Sequence, residues 1–340
     1  MGVCGFAHAP FAYFLSPFSG GKPPELPIKI PPGSLPDSTL WKGWSHTMDF
    51  ISTLINGLSL GAVYAMIALG YTMVYGIAKM LNFAHGDIIM VGSFVIYFIP
   101  KVLSASFSPY LAILISLIVC VVLGVVIERV AYRPLRGASS LAVLITAIGV
   151  SFLLQSLAQL IFGATPVPVA LFSFAPITIG SLSIKMQSVI TLAVGILVMI
   201  GLTVFINKSK TGRAMLAVSE DRGAAQLMGI NVNKTIAITF AIGSALAALA
   251  ALFYLFITPR TSPTFGAMPG IKAFVAAVLG GIGSIPGAAI GGLILGIVEQ
   301  FALKYDFLAP YSDAIVFGIL IIVLLVKPTG ILGKKTREKV

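Results

Sequence analysis

The sequence predicts an all-α fold, a polytopic transmembrane helical bundle of eight or nine spans with broken or re-entrant helices among them. Three observations carry this. Of the 340 residues, 58% are hydrophobic and only 10% charged, whereas a soluble domain carries about 25% charged residues. Uncharged runs such as 111–127, 141–162, 189–206 and 235–257 approach or exceed the ~20 apolar residues that span a ~30 Å hydrocarbon core. Third, the cations are gathered in short segments. Arg129, Arg133 and Arg136 form one, Lys208, Lys210, Arg213, Arg222 and Lys234 a second, and Lys327, Lys334, Lys335, Arg337 and Lys339 a third. Between them, 163–187 holds only Lys185 and 258–270 only Arg260. That alternation puts the basic segments and the C-terminus in the cytoplasm of a plasma (inner) membrane.

Residues 1–47 stand apart, with eight of the twenty prolines. Proline at that density disfavours helix and favours an extended, disordered segment. Phe11–Phe18 is apolar but lacks a preceding basic residue, so it is a poor signal peptide. Met48 directly precedes the first membrane segment, which favours reading 1–47 as an over-long start. A membrane domain over 48–328 follows, with helices expected near 51–76, 87–103, 111–130, 141–162, 189–206, 235–257, 271–283, 288–303 and 311–327. If all nine cross, the N-terminus lies outside. The segment 271–283 is short and glycine-rich, so a re-entrant or half helix there would leave eight full spans. The stretch 207–234 reads as a cytoplasmic loop and 329–340 as a basic cytoplasmic tail.

Two regions look irregular at membrane depth: Tyr71–Gly76 followed by Asn82–Asp87, and the glycine-rich 266–296 around Pro286. Non-helical backbone survives there only when it is buried in protein or faces a wet cavity, and transporters place it at their substrate path. The spacings Gly57-x3-Gly61, Gly287-x3-Gly291 and Gly292-x3-Gly296 read instead as close helix packing. For Pro286 a break or tight cytoplasmic turn is expected.

Enzymatic signals are missing. The histidines stand at 8, 46 and 85, and neither His-Glu-x-x-His nor Cys-x-x-Cys occurs, so no catalytic or metal-binding residue is assigned. Gly330–Thr336 resembles a phosphate loop superficially, but Lys335 stands where Ser or Thr is required and Pro328 where Gly is required. Any ATP would be bound by another chain, and no cofactor is expected on this one. The +11 net charge is spread over short loops, so nucleic acid is not an expected partner; membrane lipid is. Cys4 and Cys120 suggest neither a disulfide framework nor a metal site.

The polar cluster Asn82–Asp87 admits two readings. Ionisable groups at membrane depth mark function, whereas a solvated cytoplasmic turn, or an N-cap by Asn82 or Asp87 for a helix starting at Ile88, would be structural. Glu299 reads as interfacial, and Glu128 likewise sits beside Arg129 at a cytoplasmic helix end. Within 208–234, Met215, Leu216, Val218, Leu227, Met228 and Ile230 give an apolar side between Gly212 and Gly229, suited to docking in a partner's groove.

An ordered series of motifs runs from about Asp49 to the C-terminus: 56–65 (NGLSLGAVYA), 70–76 (GYTMVYG), 82–87 (NFAHGD), 128–136 (ERVAYRPLR), 212–214 (GRA), 273–287 (AFVAAVLGGIGSIPG) and 328–333 (PTGILG). The series resembles the permeases of branched-chain (hydrophobic) amino-acid ABC importers. The resemblance implies a membrane subunit that pairs with a homologous second permease, two cytoplasmic ATPases and a periplasmic or surface amino-acid-binding protein. It implies a substrate path or gate, for which Tyr71, Tyr75, Asn82, His85 and Asp87 are the candidates. It also implies an ATPase-coupling segment carrying Arg213, Glu220, Asp221, Ala224, Ala225 and Gly229. The general importer pattern has Glu where Gly223 stands and a later Ile-x-Leu-Pro that this chain lacks. Alternatives are the same machine carrying urea or short amides, and an ion-coupled secondary carrier, for which Asp87 and Glu299 are the acidic groups that qualify.

Overall fold

The computed structural model describes residues 38–102, 109–169, 172, 174–179 and 182–333. Of the proline-rich extension, 1–37 therefore lies outside the described residues, as does the tail from 334, while the chain is helical from Ser38.

The order is α1 (Ser38–Ala78), α2 (His85–Val102), α3 (Pro109–Ile127) continuing through a π-turn (Glu128–Tyr132), α4 (Ser140–Phe162), α5 (Met186–Lys208), α6 (Lys210–Glu220), α7 (Arg222–Leu227), α8 (Val232–Ile257), α9 (Ala267–Gly280), α10 (Ile285–Lys304) and α11 (Ser312–Val326). Short strands β1 (Val167–Pro168), β2 (Ile177–Ile179), β3 (Leu182–Ile184) and β4 (Arg260–Thr261) pair antiparallel as β1 with β4 and β2 with β3. Among the described residues, eight helices are long and apolar enough to cross a membrane, and α9 is a shorter apolar helix. The nine helical segments expected from sequence are thus all present, eight as candidate spans. The chain is a multi-pass helical membrane protein.

Local chemistry sets the helix ends. Ser139, Ser209, Asp221, Asn231 and Ser284 accept hydrogen bonds from the first-turn amides of α4, α6, α7, α8 and α10, satisfying donors that a helix start leaves unpaired. Pro286 sits in the first turn of α10, where its missing N–H costs nothing. The expected turn is therefore there, between α9 and α10. Helices α1 and α8 are mostly buried. Helices α4, α5 and α11 are largely exposed, with aliphatic outer faces suited to lipid.

Glycine makes the tight seam between α1 and α10. A Cβ on Gly57 would lie 2.9 Å from the Ile297 Cα, and one on Gly61 2.7 Å from the Leu293 Cα; Gly292 and Gly296 meet α1 just as closely at Ala65 and Gly61. The small-residue spacings are packing faces, as expected from sequence.

Two helices start inside the bundle. Asp87, in the first turn of α2, accepts a hydrogen bond from Gln155 Nε2 at 2.8 Å. Gln155 lies fifteen residues along α4 from Ser140, about 22 Å at 1.5 Å per residue. The extended stretch 79–84 thus carries the chain from the end of the bundle bearing the basic loops to mid-depth before α2 begins. In the opposite sense, 258–266 descends from the far end to start α9. The two starts meet: a Cβ on Gly86 would lie 2.6 Å from the Gly266 carbonyl oxygen, and Gly270 packs on Gly86. Among the described residues, non-helical backbone enters the bundle at 79–84 and 258–266; within 267–296, α9 and α10 are helical and the turn 281–284 between them is not. Contrary to expectation, Tyr71–Gly76 is regular α1 helix, because its buried aliphatic and aromatic side chains continue the helical core face through Ala78.

Candidate functional site

The candidate path residues lie where α1, α2 and α9 converge. Tyr71 is buried; its ring meets the His85 ring edge-on, with centroids 4.7 Å apart, and Phe274 of α9 at 5.9 Å. Gly70 makes room for the imidazole, since a Cβ there would lie 2.5 Å from His85 Nε2. His85 is almost fully buried, and its Nε2 finds no hydrogen-bond partner among the described residues. Asn82 is also buried and its Oδ1 accepts from the Tyr132 hydroxyl at 2.9 Å. It is neither a solvated turn residue nor an N-cap, and α2 starts at His85 rather than Ile88. Tertiary packing against the π-turn of α3 takes the amide that a helix cap would have used.

A narrow cleft of about 10 Å³ lies among these groups, lined by Tyr71, Tyr75, Leu81, Asn82, Phe274, Ala277 and Ile282, with room for about one water molecule. It collects Tyr71, Tyr75 and Asn82 at one wall. His85 sits behind Tyr71, and Asp87 turns away towards α4. The five candidates are therefore neighbours, two on α1, one on the connecting segment and two on α2, and of them Tyr71, Tyr75 and Asn82 face the cleft.

The segment above the cleft is held from outside. Lys79 adopts φ 53°, a left-handed conformation that costs a non-glycine residue roughly 1–2 kcal/mol. Its N–H donates to the Tyr75 carbonyl at 2.8 Å. The Arg222 guanidinium, at the start of α7, donates to the carbonyl of Ala78, an acceptor that the end of α1 leaves unpaired.

The coupling candidates form a compact pair of helices. Gly212 is not a boundary: it lies inside α6, packed against Phe205 and Ile206. Asp221 caps α7 by accepting from Gly223 N at 2.8 Å and Ala224 N at 3.0 Å. Gly229 ends the unit at φ 83°. Arg213, Glu220, Asp221 and Ala224 are exposed, while Ala225 is buried. The apolar residues split into two faces rather than forming one. Met215 and Val218 are fully buried, whereas Leu227 and Met228 are 90% and 82% exposed. Helical periodicity places i and i+3 on one face, whereas Leu227 ends the next, shorter helix and Met228 follows as its C-cap.

The principal feature missed by the sequence reading is an ion cluster at depth. Lys272 Nζ donates to Glu299 Oε1 at 2.7 Å and pairs with Asp313 Oδ1 at 2.6 Å, while the Tyr64 hydroxyl donates to Glu299 Oε2 at 2.8 Å. Glu299 is thus buried and paired, because α9 brings a lysine to it. The signal was present in Lys272 itself, a cation within an apolar helix. Glu128 is likewise buried, and its partner is Arg136. Arg136 also donates to Asn233; burial lowers the guanidinium's pKa and the Glu128 carboxylate opposes that shift. Among the described residues, no three His, Cys, Asp or Glu side chains could together hold a metal ion.

A family model described as "Branched-chain amino acid transport system / permease component" matches residues 53–325. The chain belongs to that family. The permease is 46% identical over 308 residues to the high-affinity branched-chain amino acid transport system permease protein BraD of Pseudomonas aeruginosa, covering 86% of this chain and 98% of that protein. It is 44% identical over 302 residues to LivH of Escherichia coli K12, with the same coverage. The probable branched-chain amino acid transport permease protein LivH of Methanocaldococcus jannaschii is 32% identical over 283 residues, 79% of this chain and 88% of that protein. The cleft, the ion cluster and the α6–α7 unit all lie within the matched region. The permease is therefore a transport component, and the carrier reading is set aside.

Proposed function

We propose that the permease is the membrane subunit through which an ATP-driven importer passes branched-chain and related hydrophobic amino acids into the cytoplasm. The observation that carries this is the family match over 53–325, supported by relatives whose names specify branched-chain amino acids. In this reading the end bearing the basic loops is cytoplasmic, in keeping with the concentration of Lys and Arg there. A homologous second permease completes the path, two ATPases drive it, and a binding protein delivers the ligand from outside. ATP binds to the ATPases, not to this chain.

The α6–α7 unit is the ATPase contact. Two large apolar side chains held almost fully in solvent, Leu227 and Met228, fit a partner's groove. Arg222 links that unit to the end of α1, so motion of α7 reaches Lys79 and the Tyr71–Tyr75–Asn82 cleft, which acts as the inner gate. Asp87 and His85 support the gate from behind.

The test is labelled-leucine uptake into liposomes containing the permease with its neighbouring subunits and binding protein. Uptake that requires both ATP and the binding protein is expected, and Leu227→Asp should abolish it while leaving the amount of folded permease unchanged. Uptake driven by an ion gradient without ATP would reject the reading. ATP-dependent uptake of urea instead of leucine would keep the machine and change the cargo.

A further inference from the structure

The cleft at the basic end is too small for a solute, but a larger polar cavity lies at the opposite end of the same helix. It occupies about 80 Å³ between α1, α5, α8 and α10. Its polar lining includes Asn56, Ser59, Lys185, Ser188, Thr191 and Gln300, and Leu60 and Phe256 give it an apolar wall. Ser188 Oγ donates to Asn56 Oδ1 at 3.0 Å, so the α1 and α5 walls are joined by a side-chain bond.

Ser59 is the informative residue. It is 1% exposed, and its hydroxyl has no hydrogen-bond partner among the described residues. A hydroxyl inside a helix ordinarily bonds back to the carbonyl one turn earlier. Thr53, Thr191, Thr203, Thr235 and Thr239 all do so here. Ser59 does not, although it lines the cavity. A buried hydroxyl left unpaired is destabilising, a cost removed when a polar group enters the cavity beside it.

The chemistry is complementary to a zwitterion with an apolar side chain. The Lys185 ammonium at the rim can meet a carboxylate. The hydroxyl of Ser59 and the amides of Asn56 and Gln300 supply both donors and acceptors for carboxylate and ammonium, and Leu60 and Phe256 flank the position of the side chain. About 80 Å³ is room for several water molecules and so for a small polar head group rather than a bulky solute.

We propose that this cavity is an outer acceptor site for the α-amino and α-carboxyl groups of the transported amino acid, occupied after release from the binding protein and before passage inward. This deepens the importer reading and rests on it. A lone solvent pocket would need no cation, no amide pair and no unpaired buried hydroxyl on facing helices. Directly inward of it, Tyr64 stands one turn below Leu60 on α1 and holds Glu299, the neighbour of Gln300. The cavity therefore adjoins the ion cluster rather than the lipid face alone.

The experiment uses the whole importer in liposomes and reads two quantities together: leucine transported, and ATP hydrolysis stimulated by the binding protein. Ser59→Ala and Gln300→Leu are the variants, the first nearly isosteric and the second at a half-buried site. Each should lower leucine moved per ATP hydrolysed by about tenfold, as expected for loss of a hydrogen bond to a charged group, with stimulated hydrolysis unchanged. If one variant fails to accumulate, the other decides. Wild-type transport per ATP in the variant or variants that fold would overturn the acceptor site while leaving the importer standing. Absence of ATP-dependent leucine uptake in the unaltered importer would instead remove the importer reading on which the site rests.

Discussion

At the residue scale, two sets of buried polar groups close on each other, Asn82 with Tyr132 and Glu299 with Lys272 and Tyr64. The Tyr132 hydroxyl on Asn82 fixes the descending segment beside the cleft. Tyr132→Phe removes one bond and strands the buried amide, at about 1–3 kcal/mol. Leucine uptake should fall while the permease still accumulates, measured by uptake normalised to purified protein. The ion cluster is a stronger case. Lys272→Met leaves Glu299 buried without its cation, and breaking a buried pair costs about 3–5 kcal/mol. The melting temperature of the purified permease should drop markedly. Replacing both partners with Met and Leu should recover part of the loss, because no charge is stranded, although the buried Tyr64 hydroxyl loses its acceptor. Both losses being equal would show that the pair itself, rather than the stranded charge, carries the stability.

At the element scale, the seam between α1 and α10 rests on backbone contact. Gly296→Val would force side-chain atoms into the backbone of Gly61, which lies against it, and overpacking of this kind costs roughly 1–3 kcal/mol or more. Little folded permease should be recovered from detergent. Gly201→Val is the comparison, since nothing lies within 4 Å of a Cβ there, and it should purify like the unaltered chain. The C-terminal segment closes another element: Ile331 and Leu332 donate through their backbone N–H groups to Leu279 and Gly280 at 2.8 and 2.9 Å. The stretch following α11 is thereby tied to the end of α9 beside the cleft, so the motif 328–333 has a structural role where it docks. The elements were largely legible: hydrophobic runs of membrane length locate spans without reference to partners. The half helix α9 was legible only as shortness, since its depth depends on contacts with α2.

At the scale of the whole molecule, the charge asymmetry predicts orientation. Single cysteines placed at Leu227 and Phe307, both strongly exposed, lie at opposite ends of the bundle. In intact cells, with Cys4 and Cys120 replaced, an impermeant maleimide should label the variant at 307. It should label the one at 227 only after the membrane is opened. The reverse pattern would invert the proposed import direction.

Composition, span length and the placement of Lys and Arg determined the membrane class, the helix order and the expected orientation, because lipid imposes those constraints on each segment separately. The ordered motifs determined the family in the same local way. Only the tertiary structure decided that Asn82 turns to Tyr132, that Tyr71, Tyr75 and Asn82 share a cleft, and that Lys272 neutralises Glu299. It also placed Ser59 unpaired beside Asn56 and Gln300. Each of these depends on which side chain a distant helix brings within about 3 Å, and no periodicity along one segment contains that information.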